Sequence, residues 1–146
     1  MPSINEDRPD IKAIREELGI SQSTLASYLG VSVRTVQSCE QGWRCPSEVV
    51  KKSLLLLLIT HRRRAELTVL HCWDYIQCMD EQRERCFIYQ SRQGHLCWFL
   101  LGNQCMRQPN KGWRAKKEMC RCCTFFQTLI RPAGAPAVPL RDLQIL

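Results

Sequence analysis

Apolar residues recur at helical spacing through the first sixty positions of the chain. Ile11, Ile14 and Leu18 form one stripe, and Gly19 closes it. Ser21 is placed to cap a second helix carrying Leu25, Ala26 and Leu29, which Gly30 ends. Ser32 caps a third helix, with Val33, Val36 and Cys39 spaced three apart. Gly42 and Pro46 punctuate, and a fourth helix starts near Ser47 or Glu48. Beyond residue 71 the periodicity is lost. Gly94, Gly102, Pro109-Asn110 and Gly112 cut the chain into short pieces poor in aliphatic side chains. Such pieces rarely hold themselves together, and a metal centre would supply the missing core.

The predicted fold class is mainly α. An N-terminal helix-turn-helix domain of four to five helices occupies residues 1–62. A connecting helix covers 63–70. A small, irregular, metal-stabilised cysteine-rich domain covers 71–130, and a Pro/Ala-rich mobile tail covers 131–146. The helix from about 48 to 70 would join the two halves and carry a signal between them. Within it, Leu54 to Leu58 is apolar all round, whereas a surface helix needs only one apolar stripe. The surplus face calls for a cover. A second copy of the chain, giving a homodimer, is the simpler reading, and packing on the cysteine-rich segment is the alternative.

Charge changes this picture little. The chain of 146 residues carries +7. Residues 1–62 hold 8 basic and 7 acidic side chains, whereas residues 71–130 hold 9 and 5. The basic excess therefore lies mostly outside the helical half, and charge alone names no partner for it. The longest apolar run, Leu54 to Ile59, is six residues long and lies between Lys51-Lys52 and His61-Arg62-Arg63-Arg64. A membrane span needs about 20. The polar N-terminus lacks the apolar core of a signal peptide. A cytoplasmic location is expected, and ten cysteines in a reducing compartment point to metal or redox chemistry rather than permanent disulfides.

The stretch Ser21 to Gly42 is the informative one. Ala26 is small where the second helix crosses the third, Gly30 supplies the tight turn, and Val36 packs back toward Ala26. Ser21-Gln22-x-x-Leu25-Ala26, Leu29-Gly30-Val31-Ser32, Thr35-Val36 and Glu40-x-Gly42-x-Arg44-x-Pro46 resemble the Cro/C1 (XRE) family of helix-turn-helix regulators. The resemblance covers about residues 10–60. One departure is Cys39, which stands where the family often has Trp or Leu. The resemblance implies a double-stranded DNA operator as partner. It places Gln22 on a phosphate and turns Val33, Arg34, Gln37 and Ser38 toward base edges. Arg34 is the best single reader, through guanine O6 and N7. Thr35, Trp43 and Arg44 would hold the DNA backbone.

The second half holds eight of the ten cysteines. The chain reads Cys72-Trp73-x4-Cys78, then Cys86, then Gly94-x-x-Cys97-Trp98-x3-Gly102-x-x-Cys105, then Cys120-x-x-Cys123-x-Phe125. This looks like the two-CW module attached to bacterial regulatory proteins. The resemblance implies seven shared cysteines, Cys72, Cys78, Cys86, Cys97, Cys105, Cys120 and Cys123, with Cys122 an extra. Seven thiols exceed what one zinc needs, and the paired knuckles of a zinc ribbon are missing. Four of them suit a [4Fe–4S] cluster, which is the reading taken, with Zn2+ and metal-free thiol switching as alternatives. His71 and His95 read as ordinary histidines. Arg107, Lys111, Arg114, Lys116, Lys117 and Arg121 read as a solvated face. No nucleophile set, phosphate-cradling loop or carboxylate pair points to an enzyme. The function expected is a transcriptional regulator that senses redox state, oxygen or metal. The alternative is a DNA-bound adaptor whose zinc domain recruits a protein.

Overall fold

The computed structural model describes residues 8–76, 78–100 and 112–131. The chain folds as two compact units, with the boundary between His61 and Arg62. The described secondary structure is helical, and Cys105 and the expected tail from residue 132 lie outside the described residues.

The first unit is built from α1 (Ile11–Leu18), α2 (Gln22–Leu29), α3 (Val33–Glu40) and most of α4 (Glu48–Arg63). Each start is capped by a short polar side chain. Asp10 accepts from the Ala13 amide at 2.9 Å, Ser21 from Thr24 at 3.0 Å, and Ser32 from Thr35 at 3.1 Å. Ser47 accepts from Val50 at 3.3 Å at the head of α4. Gly30 ends α2 with φ of 67°, and the next amide, Val31, donates back to the Ala26 carbonyl. That left-handed turn sets α3 across α2. Ile11, Ile14, Leu25, Ala26, Val36, Cys39, Leu54 and Leu58 then close one core. Cys39 fills its place as a small apolar residue. The run Leu54 to Ile59 is buried in a single chain at Leu54, Leu55, Leu58 and Ile59.

The continuous connecting helix expected over 63–70 does not form. α4 stops at Arg63, and Leu67–Val69 makes a tight 3₁₀ turn. The reason lies in the arginines. Arg62 donates to the Ile130 carbonyl, and Arg63 donates to those of Leu129 and Arg131 while pairing with Glu66 at 3.2 Å. Two guanidinium groups are thus spent on the carbonyls of residues 129–131, and β-branched Thr68 and Val69 favour helix continuation poorly.

The second unit is more regular than expected. It contains α5 (Cys72–Ile76), α6 (Asp80–Arg85), α7 (Phe87–Gln90), a 3₁₀ turn at Gly94–Leu96, α8 (Trp113–Arg121) and α9 (Thr124–Ile130). It also has a core made of its own side chains. Ile88, Trp98, Phe125, Phe126, Leu129 and Ile130 are all essentially enclosed. The Trp98 ring lies 5.9 Å from Phe126 and 5.5 Å from Phe99, in the tilted and edge-on arrangements aromatic rings prefer. Low aliphatic content hid this core, because its volume comes from rings. Among the described residues, no helix is long and apolar enough to cross a membrane.

At Gly94 two backbones lie close together. A β-carbon there would stand 2.7 Å from the Cα of His71 and 3.0 Å from the Cys72 nitrogen. Gly94→Ala is therefore expected to cost about 2 kcal/mol through displaced backbone. Gly30→Ala, where nothing crowds the site but φ is positive, is expected to cost about 1 kcal/mol. Urea unfolding measures both, and a Gly94→Ala midpoint equal to wild type would mean that the two segments do not touch.

Candidate functional site

The residues expected to read DNA lie on the outer side of α3 and beside it. Val36 and Cys39 point into the core, so residues between them point out. Val33, Arg34 and Gln37 are exposed and Ser38 is half-buried. Thr35 is half-buried and its hydroxyl sits 2.9 Å from that of Ser32. The Ser38 carbonyl accepts from the amides of Trp43 at 2.9 Å and Arg44 at 3.2 Å. This hook folds the loop after α3 back over the helix end and leaves Trp43 82% exposed beside an exposed Arg44. The eight residues singled out for DNA thus lie on or next to α3, with Gln22 at the first turn of α2.

Sequence reasoning missed what holds them there. The Glu40 carboxylate accepts from Arg15 Nε at 2.6 Å and from Gln22 Nε2 at 2.8 Å. Gln22 Oε1 in turn accepts from Gln37 Nε2 at 3.4 Å. Arg15 also donates to the Ile20 carbonyl at 3.1 Å. One carboxylate on α3 therefore grips α1 and α2 and reaches the exposed Gln37 through Gln22. Burial opposes the charge on Glu40, yet hydrogen bonds from Arg15 and Gln22 outweigh it and hold the carboxyl below its usual range. The same contact raises the pKa of Arg15.

The cysteines are spread over the second unit. Cys72 and Cys97 are buried, Cys78, Cys86, Cys120 and Cys123 are half-buried, and Cys122 is exposed. Two of them meet: the thiols of Cys72 and Cys97 are in hydrogen-bond contact. That contact brings Cys72 below the ordinary thiol range, helped by the charge of Lys116 and opposed by burial. Cys78 is raised by burial and by the neighbouring sulfurs of Cys72 and Cys86. Burial pushes Cys120 up to about 12, with Lys116 working against it. Cys120 therefore stays a thiol at neutral pH. Burial and the charge of His71 lower His95, and His71 stacks on Trp73 with centroids 4.4 Å apart.

One expectation changes here. Lys116 and Lys117 do not belong to a solvated face, because both are buried, Lys116 to 1% exposure. Composition alone does not reveal such burial. And among the described residues no three His, Cys, Asp or Glu side chains are gathered closely enough to hold a metal ion.

Residues 11–50 match the helix-turn-helix family model, which supports an XRE-type DNA-binding domain at the N-terminus. No curated protein and no solved structure matches the chain.

The Glu40 hub gives a pH signature. A carboxyl with a depressed folded-state pKa stabilises fully above its unfolded value of 4.5, and the contribution is lost as pH falls through the lower folded value. Glu40→Gln is expected to cost about 1–2 kcal/mol at neutral pH and progressively less in acid. Urea titrations of both proteins across the acid range measure this, and parallel pH profiles would remove Glu40 as the hub.

Proposed function

We propose that this protein is a transcriptional regulator that lays α3 in the major groove of an operator and responds to redox state, oxygen or metal through its cysteine-rich half. The observation that carries the DNA part is the division of α3. Val36 and Cys39 anchor one side while Val33, Arg34 and Gln37 are presented to solvent, with Trp43 and Arg44 beside them. A helix supported in this way can enter a groove without disturbing its own core. Arg34 pairs with a guanine, Gln37 and Ser38 read adjacent base edges, and Val33 meets a thymine methyl. Gln22, Thr35, Trp43 and Arg44 set register on the sugar–phosphate backbone. Paired half-sites call for two copies of the chain, so a homodimer on DNA is part of the proposal.

The sensing part is supported by the concentration of thiols in one unit, with two of them in contact and a buried lysine beside them. A two-CW-like cysteine module is the proposed identity of this half. A [4Fe–4S] cluster, or Zn2+ in its place, belongs to the proposal as the group these thiols would hold together with Cys105.

Arg34→Ala is expected to weaken binding to the best genomic site by about 1–3 kcal/mol. Unchanged affinity in a fluorescence-anisotropy titration at fixed salt would end the groove-reading role. For the second half, the chain is purified without oxygen and assayed for visible absorption, iron, sulfide and zinc. Coloured protein with iron and sulfide in equal amounts is expected. Colourless protein with stoichiometric zinc, indifferent to air, selects the adaptor instead.

A further inference from the structure

Gln37 ends a chain of side chains that begins at Glu40. Arg15 Nε donates to Glu40 Oε1 at 2.6 Å, while Arg15 Nη2 and Gln22 Nε2 donate to Oε2 at 3.3 and 2.8 Å. Gln37 Nε2 then donates to Gln22 Oε1 at 3.4 Å. The direction of each bond follows from the one before it. A carboxylate only accepts, so the Gln22 amide has to turn its nitrogen to Glu40. Its oxygen therefore faces Gln37, and only the nitrogen of Gln37 can meet it. The oxygen of Gln37 is left at the outer end of an exposed side chain. An isolated glutamine turns its amide over and offers either end. This one is held one way round by a carboxylate that it does not touch.

We infer that Glu40 is a positioning residue for base choice, which makes Gln37 present its carbonyl oxygen to the major groove and thereby select adenine. This rests on the DNA-reading proposal above and deepens it. In the major groove the amino groups of adenine and cytosine donate, whereas guanine O6 and N7 and thymine O4 accept. Adenine matches the Gln37 amide at two points. Its N6 donates to Oε1, and its N7 takes the hydrogen left on Nε2. Guanine in the same place sets O6 against Oε1, acceptor against acceptor. Arg34, three residues earlier and also exposed, offers donors only and takes guanine. The two side chains thus ask for different bases for opposite reasons.

Glu40 acts here without reaching the DNA. Its charge sets the polarity of Gln22, and Gln22 sets that of Gln37.

The test lets the full chain select from a random-sequence duplex library at one salt concentration, and the bound DNA is sequenced for wild type and variants. Gln37→Ala marks the position that Gln37 reads. Wild type is expected to prefer adenine over guanine there by about tenfold. In Glu40→Gln the introduced amide keeps its oxygen on Arg15 and turns its nitrogen to Gln22. That reverses the chain and presents the nitrogen of Gln37, so the adenine preference is expected to fall by about tenfold while the guanine that depends on Arg34 stays. Gln22→Met breaks the chain but leaves the Arg15–Glu40 pair in place, and it decides the matter if Glu40→Gln folds poorly. A fall of about threefold is expected there. A purely structural role would weaken all sequences alike, so an unchanged adenine preference in Gln22→Met overturns the inference. So does any base other than adenine at the Gln37 position in wild type, or a Gln37→Ala consensus identical to that of wild type. Those outcomes leave the DNA-reading proposal standing as long as Arg34→Ala loses its guanine. A wild-type chain that enriches no sequence ends both.

Discussion

The first unit is organised around the Glu40 carboxylate. Its side chain is almost enclosed, so its charge has to be met by donors rather than water. Arg15 and Gln22 meet it, one from α1 and one from α2. The core of Leu25, Ala26 and Val36 supplies most of the favourable burial, but apolar contacts tolerate small slips. A charged hydrogen-bonded pair tolerates far less, because a slip leaves a buried charge unpaired. The pose of α3 on the other two helices is thereby fixed, and through Gln22 the same carboxylate steadies Gln37 on the exposed side of α3.

The second unit depends on shape more than charge. Trp98 and Phe126 fill its centre, and Gly94 allows one segment to lie on another. Packing of this kind brings together Cys72 and Cys97, 25 positions apart in sequence. It also draws Lys116 inward until its charge acts on both Cys72 and Cys120. The environment of each thiol therefore differs. One is eased toward the thiolate, another is held firmly as a thiol, and a family of apparently equivalent cysteines acquires separate chemistries.

The first unit was legible because its signals are local. Ser21, Ser32, Gly19 and Gly30 each act within four residues, and helix boundaries followed from them. Glu40 and Arg15 are 25 positions apart, and neither residue type announces a partner, so the hub was invisible until the helices were placed. The second unit was less legible, because there a local rule stands in poorly for packing. Few aliphatics suggested no core, yet aromatic rings built one. A run of basic residues suggested a solvated face, yet two lysines went inside. Gly94 looked like punctuation and proved to be a contact. The helix expected to join both halves was lost to Arg62 and Arg63, whose carbonyl acceptors lie more than sixty positions away.

The hook from Ser38 to Trp43 has an optical consequence. Of the four tryptophans in the chain, Trp43 alone belongs to the first unit, and it stands in water. Trp98, by contrast, is wholly enclosed among rings. An indole in water emits at longer wavelength than one in an apolar interior, so the red edge of the intrinsic emission belongs chiefly to the loop after α3 and the blue edge to the ring-packed core. The two halves of this protein therefore report on themselves in different colours of the same fluorescence, without any label.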